Sequence, residues 1–169
     1  MKQVKKIAVG LVLFVATTSF VNAQSKVAHI DVTQLLSSMP EMKTAEAELK
    51  KLSETYNADI ESSMKEFENK ATLYQNESAT KSKEENEKRV IEIQSIQKNI
   101  SDANQAAQRE LQKKQAELFA PISDKAKAAI EKVAAAQGID YVIDAQAGGG
   151  LIVANGKDLL ADVKAELGI

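Results

Sequence analysis

Apolar residues recur every three or four positions between residues 42 and 74. The average spacing is about 3.6 residues, which is the period of an α-helix with one apolar stripe. A second stripe covers residues 90–118, with small alanines in its middle and Gln115 interrupting the repeat. The first stripe consists of Met42, Ala45, Leu49, Leu52, Tyr56, Ile60, Met64, Phe67, Ala71 and Tyr74. The second stripe consists of Val90, Ile93, Ile96, Ile100, Ala103, Ala107, Leu111 and Leu118.

Residues 41–137 contain no glycine and one proline, Pro121, and are rich in strong helix formers. A polar patch near residues 78–83 interrupts them, and Ser82 with Glu85 forms a capping box that starts a second helix. At 1.5 Å per residue, each helix would reach roughly 55 to 60 Å. The matched lengths predict an antiparallel helical hairpin, which we call the arm (residues 41–119), with its tip near residues 76–87.

Shorter elements are predicted before the arm. Residues 26–32 form a strand candidate, and Asp31 or Thr33 can cap a short helix after it. Ser38 begins a second capping box, and Pro40 falls in the first turn of the next helix, where its missing amide does no harm.

Further short elements follow the arm. Pro121 is expected to break or kink the returning helix near residues 119–120, and Gly138 lies just past the predicted helix end. Residues 139–143 and 151–153 are strand candidates, and the glycine run between them predicts a β-hairpin. Asp158 is expected to cap a last helix. Its predicted buried face consists of Leu159, Leu160, Val163 and Leu167.

The segments on either side of the arm (residues 24–40 and 120–169), which we call the body, hold fewer than 70 residues. A domain of that size is marginally stable alone. The apolar runs 141–143 and 151–153 do not alternate with polar residues, so both strand faces need cover. We therefore expect an obligate oligomer built through the body. Its candidate interface residues are Val27, Ile30, Tyr141, Val142, Ile143, Leu151, Ile152 and Val153.

The first 23 residues have the pattern of an export signal. Lys2, Lys5 and Lys6 precede an apolar run at residues 7–15, and a small-x-small site ends at Ala23. Cleavage there leaves 19 basic and 24 acidic side chains, a formal net charge of −5. Such a chain is not expected to bind nucleic acid or another polyanion. Because the sequence has no cysteine, its stability must come from packing.

The sequence offers no constellation for catalysis. His29 is the only histidine, no cysteine is present, and the glycines at 148–150 lack the Lys-Ser/Thr of a phosphate-binding loop. We therefore expect no enzyme activity, no cofactor and no metal site.

Several motifs follow one another in a recognisable order. They are an export signal, the run at residues 27–32, Leu35-Leu36, Ser38-Met39-Pro40-Glu41, a long charged hairpin, Pro121, and the run at residues 138–144. Together they resemble the Skp/OmpH family of periplasmic chaperones over essentially all of the mature chain. The resemblance implies a jellyfish-like homotrimer, in which a small β-rich body carries three helical arms around a cavity. It also implies that the cavity holds unfolded outer-membrane β-barrel proteins without nucleotide.

Two features depart from the family pattern. Leu160 stands where the family's last helix commonly has threonine after Asp158. The sequence pI is about 5.6, and the arm carries 13 basic and 16 acidic side chains, whereas the best-known member is strongly basic. A role in binding lipopolysaccharide or anionic membranes is therefore not carried over.

Large apolar side chains on the arm are candidates for client contact. They also lie on the predicted stripe, so packing between the two helices is the alternative role. A thin stripe further predicts mobile tips. A structural coiled-coil envelope protein and an exported enzyme subunit or regulator remain the alternative functions. The candidate client contacts are Tyr56, Met64, Phe67, Tyr74 and Phe119.

Overall fold

The computed structural model describes residues 26–146, 148 and 151–169. The predicted export signal therefore lies outside the described residues. The expected fold class, mainly helical with a small sheet, is confirmed. The elements are β1 (Val27–Ile30), α1 (Val32–Ser38), α2 (Pro40–Glu77), α3 (Lys83–Gln137), β2 (Tyr141–Asp144), β3 (Lys157–Asp158) and α4 (Leu160–Leu167).

Helices α2 and α3 form the expected hairpin, joined by a 3-10 turn at Ser78–Thr80. Ion pairs link Glu48 to Lys114 and Glu77 to Arg89. The residue number of the α2 partner increases from one pair to the next, while that of the α3 partner decreases. The two helices are therefore antiparallel. Among the described residues, no helix is long and apolar enough to cross a membrane.

Three predicted helix ends, at Asp31, Ser82 and Gly138, are confirmed by their hydrogen bonds, whereas the last helix has Leu159 and not Asp158 as its N-cap. The Ser82 hydroxyl accepts from the amide of Glu85 at 3.2 Å, and the Asp31 carboxylate accepts from the amide of Gln34 at 2.8 Å. Gly138 ends α3 with φ of 63°, a left-handed conformation that glycine adopts without steric cost. These local signals therefore set where the helices begin and end.

The predicted cap at Ser38 is wrong. The Ser38 hydroxyl donates to the carbonyl of Leu35 at 2.6 Å because Ser38 is the last residue of α1. Met39 is the residue before α2 and makes no side-chain cap, while Pro40 opens the helix as expected. The hydroxyl is used by the helix that ends, so it is not available to the helix that begins.

Helix α3 is not broken at Pro121. It continues from Lys83 to Gln137, with the proline inside it. A proline in a helix interior costs about 3 kcal/mol because one hydrogen bond is lost and its ring crowds the preceding turn. Ile122, Ala126 and Ala129 lie beyond it and are buried in the core. Their burial keeps the segment helical, so the end of the arm and the start of the body share one helix.

The sheet differs from the predicted β-hairpin. Its strand order is β2-β1-β3, and β1 pairs in parallel with both neighbours. Residues 151–153 are not a strand, and the third strand is Lys157–Asp158 instead. A tight hairpin would place β2 and β3 side by side and antiparallel. Here β1 lies between β2 and β3. The glycine-containing segment therefore connects β2 on one side of β1 to β3 on the other side.

The hydrophobic core lies in the body and at the base of the arm. One face of the sheet packs against α1, the last turns of α3 and α4. Beyond Ala45 and before Ile122, the only buried apolar side chain in the described part of the chain is Ala107. The core residues are Ala28, Ile30, Leu35, Met39, Met42, Ala45, Ile122, Ala126, Ala129, Val133, Leu159 and Val163.

Candidate binding surfaces on the arm and the body

The arm holds its apolar side chains only partly out of water. Tyr56, Phe67, Tyr74 and Phe119 are half-buried, and Phe119 packs against the core of the body. Of the five residues proposed for client contact, Met64 alone is exposed, with 48% of its surface open to solvent. The packing role weighed for the four aromatic side chains therefore matches their burial.

Three stripe positions, Met64, Val90 and Ala103, are exposed, although the spacing predicted that they lie between the helices. Met64 follows three consecutive steps of four residues, and each such step turns a side chain about 40° further round the helix. The drift carries it out to the surface. Val90 is 55% exposed because Arg89, one position earlier, lies over the ring of Tyr74 at 4.4 Å from its centroid. The guanidinium takes the place between the helices that an apolar side chain was expected to fill.

A polar network ties the two helices together near the tip. Glu92 accepts from Lys70 Nζ and from the Tyr74 hydroxyl, both at 2.7 Å. Arg89 donates to Glu77 at 2.7 Å, and its side chain is only 12% exposed. The pairs run from one helix to the other, so they hold the last turns of α2 against the first turns of α3.

The network shifts the acidity of its members in opposite directions. Hydrogen bonds from Lys70 and then from Tyr74 lower the pKa of Glu92, and the hydrogen bond from Arg89 lowers the pKa of Glu77. The hydrogen bond to Glu92 raises the pKa of Lys70 and that of Tyr74. These shifts favour the charged carboxylates and ammonium at neutral pH, with the tyrosine protonated.

Three grooves follow the hairpin, and the number of charged side chains that line them falls from the body to the tip. A further hollow at the very end of the arm is charged, because Lys81, Lys83 and Glu87 line it. Six of the nine side chains that line the groove nearest the body are charged, among them Glu48 and Lys114. The groove halfway along the arm contains two carboxylates, Asp59 and Glu66, and no cation. The groove at the tip has one charged side chain, Arg89. The three grooves therefore offer different chemistry to whatever touches them.

One face of the sheet is open to solvent and largely apolar. Val27 pairs with Tyr141, and His29 pairs with Ile143. Because paired residues point to the same side of a sheet, these four side chains share a face. Val27, Tyr141 and Ile143 are 49%, 62% and 44% exposed, whereas Ile30 lies on the opposite, core face.

The other candidate interface residues are divided in the same way. Val142 is partly buried against the core, and Leu151 is half-buried. Ile152 and Val153 are 97% and 64% exposed in the segment that precedes β3. The body therefore presents an apolar sheet face together with an exposed apolar segment.

Metal binding finds no support in the part of the chain that the structure describes. Within it, no three His, Cys, Asp or Glu side chains lie close enough together to hold an ion.

Nearly all of the described chain matches one known protein family. The family model described as outer membrane protein (OmpH-like) matches residues 26–167. The chain belongs to the OmpH-like family. The Skp/OmpH family expected from the sequence motifs is thereby confirmed.

Individual relatives of this OmpH-like chain agree with that assignment. It is 26% identical over 156 residues to the chaperone protein Skp of Pectobacterium atrosepticum, covering 92% of this chain and 93% of the relative. It also resembles a crystal structure described as an outer membrane chaperone (OmpH-like) from Caulobacter crescentus CB15. The TM-score is 0.73 at 18% identity, covering 86% of this chain and 85% of the other. At that identity the similarity shows the fold.

Sequence reasoning did not single out Leu73 or Ile91 of this OmpH-like arm, and it placed Val90 between the helices rather than on the surface. Leu73, Val90 and Ile91 are 50%, 55% and 65% exposed and lie near the tip. A signal was available for the last two, because adjacent helical residues are about 100° apart and cannot both lie between the helices. The third, Leu73, falls next to Tyr74, which already occupied the stripe.

Proposed function

We propose that this OmpH-like protein is an ATP-independent holdase chaperone of the periplasm. It binds unfolded outer-membrane β-barrel proteins between its helical arms and prevents their aggregation. The observation that carries the proposal is the composition of the arm. Beyond Ala45 its seam is thin, and it leaves Met64, Leu73, Val90 and Ile91 exposed along a charged and soluble helical pair.

The mechanism follows from many weak contacts in a confined space. An unfolded client that stays mobile keeps most of its conformational entropy, so modest contacts can hold it. No nucleotide or covalent step is required, because release follows when the client reaches a more favourable partner. Charged side chains on the arm's outer faces keep the loaded complex in solution.

The aggregation of a β-barrel client tests this function. An unfolded outer-membrane protein is diluted from urea with and without the mature chain, and light scattering is followed. We expect the chain to suppress scattering at stoichiometric amounts. Unchanged scattering would contradict the proposal and favour a structural coiled-coil envelope protein.

We further propose that the body assembles three copies, so that three arms enclose a cavity. The open sheet face with Val27, Tyr141 and Ile143, together with Ile152, forms an apolar surface on a body too small to be stable alone. Burial of that surface by other copies would remove it from water.

Sedimentation of the mature chain tests the assembly. We expect a species of three chains, and we expect Tyr141→Lys to lower its mass because the substitution introduces a charge into the apolar face. His29→Gln, on the same face, is the control for a polar change that adds no charge. A folded monomer at every concentration would contradict the assembly.

We propose that the chain reaches the periplasm by an export signal that is cleaved after Ala23. Mass spectrometry of the exported protein should then find an N-terminus at Gln24. With a net charge of −5 after cleavage, binding to lipopolysaccharide or anionic membranes is not part of the proposal.

A further inference from the structure

The groove at the tip of the arm differs from the rest of the hairpin in its chemistry. It has a volume of about 560 Å³ and is lined by three aliphatic side chains, four side chains with amide or aliphatic hydroxyl groups, Tyr74 and Arg89. No carboxylate lines it. The lining side chains that carry the argument are Ala71, Gln75, Ser78, Val90, Ile93 and Gln94.

The groove and the polar network lie on opposite flanks of the hairpin. Lys70, Leu73 and Glu77 are spaced by three and four residues, so they follow one flank of α2. Ala71 and Gln75 are four residues apart and follow the other flank. The ion pairs that join the two helices are therefore confined to one side of the tip. On the other side, the groove adjoins a hollow whose charged side chains are Lys81, Lys83 and Glu87.

Arg89 is the one charged side chain that reaches the groove. Its guanidinium donates to Glu77 at 2.7 Å and lies 3.5 Å from Glu85. It also stacks on Tyr74 and is largely buried. Two carboxylates of the arm therefore offset its charge, while its Nη1 is buried without a hydrogen-bond partner among the described residues.

We infer that this groove binds an extended, uncharged segment of the client polypeptide, and the inference rests on the proposed function. The amide groups of Gln75 and Gln94 can each donate and accept a hydrogen bond, which matches the donors and acceptors of a peptide backbone. Neither forms a hydrogen bond with another described side chain. Val90 and Ile93 provide apolar surface for the side chains of such a segment.

Membrane-spanning β-strands have the composition that the groove fits. They alternate apolar and polar side chains over about ten residues and largely lack charge on their apolar face. The groove halfway along the arm is lined by two negatively charged side chains, Asp59 and Glu66. The tip groove is therefore the place on the arm where an uncharged strand segment binds, and charged client segments are left to the other surfaces.

Peptide binding to the mature chain measures this preference. The probe is an uncharged peptide of about ten residues that alternates leucine and threonine, compared with a version that carries two aspartates. Val90→Lys should weaken binding of the uncharged probe about tenfold, because binding would bury a charge in the groove. Ser95→Lys is the matched control, since it places the same charge at an exposed residue of the same helix that does not line the groove. It should leave the affinity unchanged.

The position of the probe can be read directly because the chain contains no cysteine. A photo-crosslinker attached to Gln94→Cys should capture the uncharged peptide, and one attached to Ser63→Cys in the middle groove should capture far less. Equal capture at both positions, equal effects of the two lysine variants, or equal binding of the two peptides would overturn the inference.

The aggregation assay separates this inference from the proposed function. If the wild-type chain suppresses client aggregation but the peptide is not captured at Gln94→Cys, the groove assignment is overturned and the holdase function stands. If the wild-type chain does not suppress aggregation, the holdase function itself is contradicted.

Discussion

The arm and the body use the same 55-residue helix in different ways. In the body, Ile122, Ala126, Ala129 and Val133 of α3 are buried at successive steps of three and four residues. In the arm, Ala107 is the one buried side chain of α3. Helix continuity therefore does not imply uniform stability. Tertiary packing stabilises the body, whereas the arm depends on helix propensity and a narrow line of contacts between two helices.

The largest expected difference in stability between the two regions comes from the truncation of a side chain in the core. Leu35 is fully buried in the body, so Leu35→Ala should lower the free energy of unfolding by about 2 to 5 kcal/mol. Leu49 is half-buried at the base of the arm, so Leu49→Ala should cost clearly less. Urea denaturation at one fixed protein concentration measures both, since assembly would otherwise change the apparent stability. Equal losses would contradict the contrast between body and arm.

A smaller effect is expected at the boundary between the two regions. Pro121 is exposed, so Pro121→Ala removes little packing while it restores an amide that can donate to the carbonyl of Glu117. We expect the free energy of unfolding to rise by about 1 to 3 kcal/mol. The same denaturation experiment measures the change, with Ala120→Ser as a control that keeps the amide. A loss of stability would indicate that the proline ring contributes a contact of its own.

The smallest expected effect is local to the tip and depends on pH. The pKa of Glu92 and that of Glu77 are lowered from an ordinary value of 4.5, so the stabilisation they provide is complete above that pH. It is lost as the pH falls through their lower folded-state values. The raised pKa of Lys70 keeps that cation charged throughout.

Loss of these ion pairs should let the two helices separate at the tip. Distances between spin labels at Thr72→Cys and Ile91→Cys measure this separation. We expect a narrow distribution at neutral pH and a broader one below pH 4.5. Glu92→Gln should broaden it already at neutral pH. An unchanged distribution in acid would mean that apolar contacts alone hold the tip closed. The network stabilises the tip, so we now expect the tip to be mobile only when the carboxylates of Glu77 and Glu92 are protonated.

The helical part of the molecule was largely predictable because its signals are local. The cap at Ser82, the glycine at 138 and the burial of Val163 in the last helix and of Leu159 just before it all depend on residues within a few positions of one another. The stripe was accurate until repeated steps of four carried Met64 outward. The spacing of each residue to its neighbours therefore determined most of the hairpin.

The sheet and the tip were not predictable from local signals. Strand partners are chosen across the whole chain, so the apolar run at 151–153 looked like a strand, while the polar pair Lys157–Asp158 became one. The cross-helix position of Arg89 over Tyr74 depends on the exact pairing of two helices. Helix α3 does not break at Pro121, because the residues beyond it are buried in a core that includes the distant strand β1, and this burial outweighs the local cost of the proline.

The pairing of β1 has a consequence for the order in which the molecule is completed. The backbone amide of Lys26, just before β1, donates to the carboxylate of Asp140, just before β2. The two residues are 114 positions apart in the sequence. The first strand therefore has no partner until nearly the whole polypeptide has been delivered. Helix formation within the arm can precede that moment because it needs only nearby residues. Closure of the sheet is the final event, so a truncated chain that ends before residue 141 would keep helices but lack any sheet.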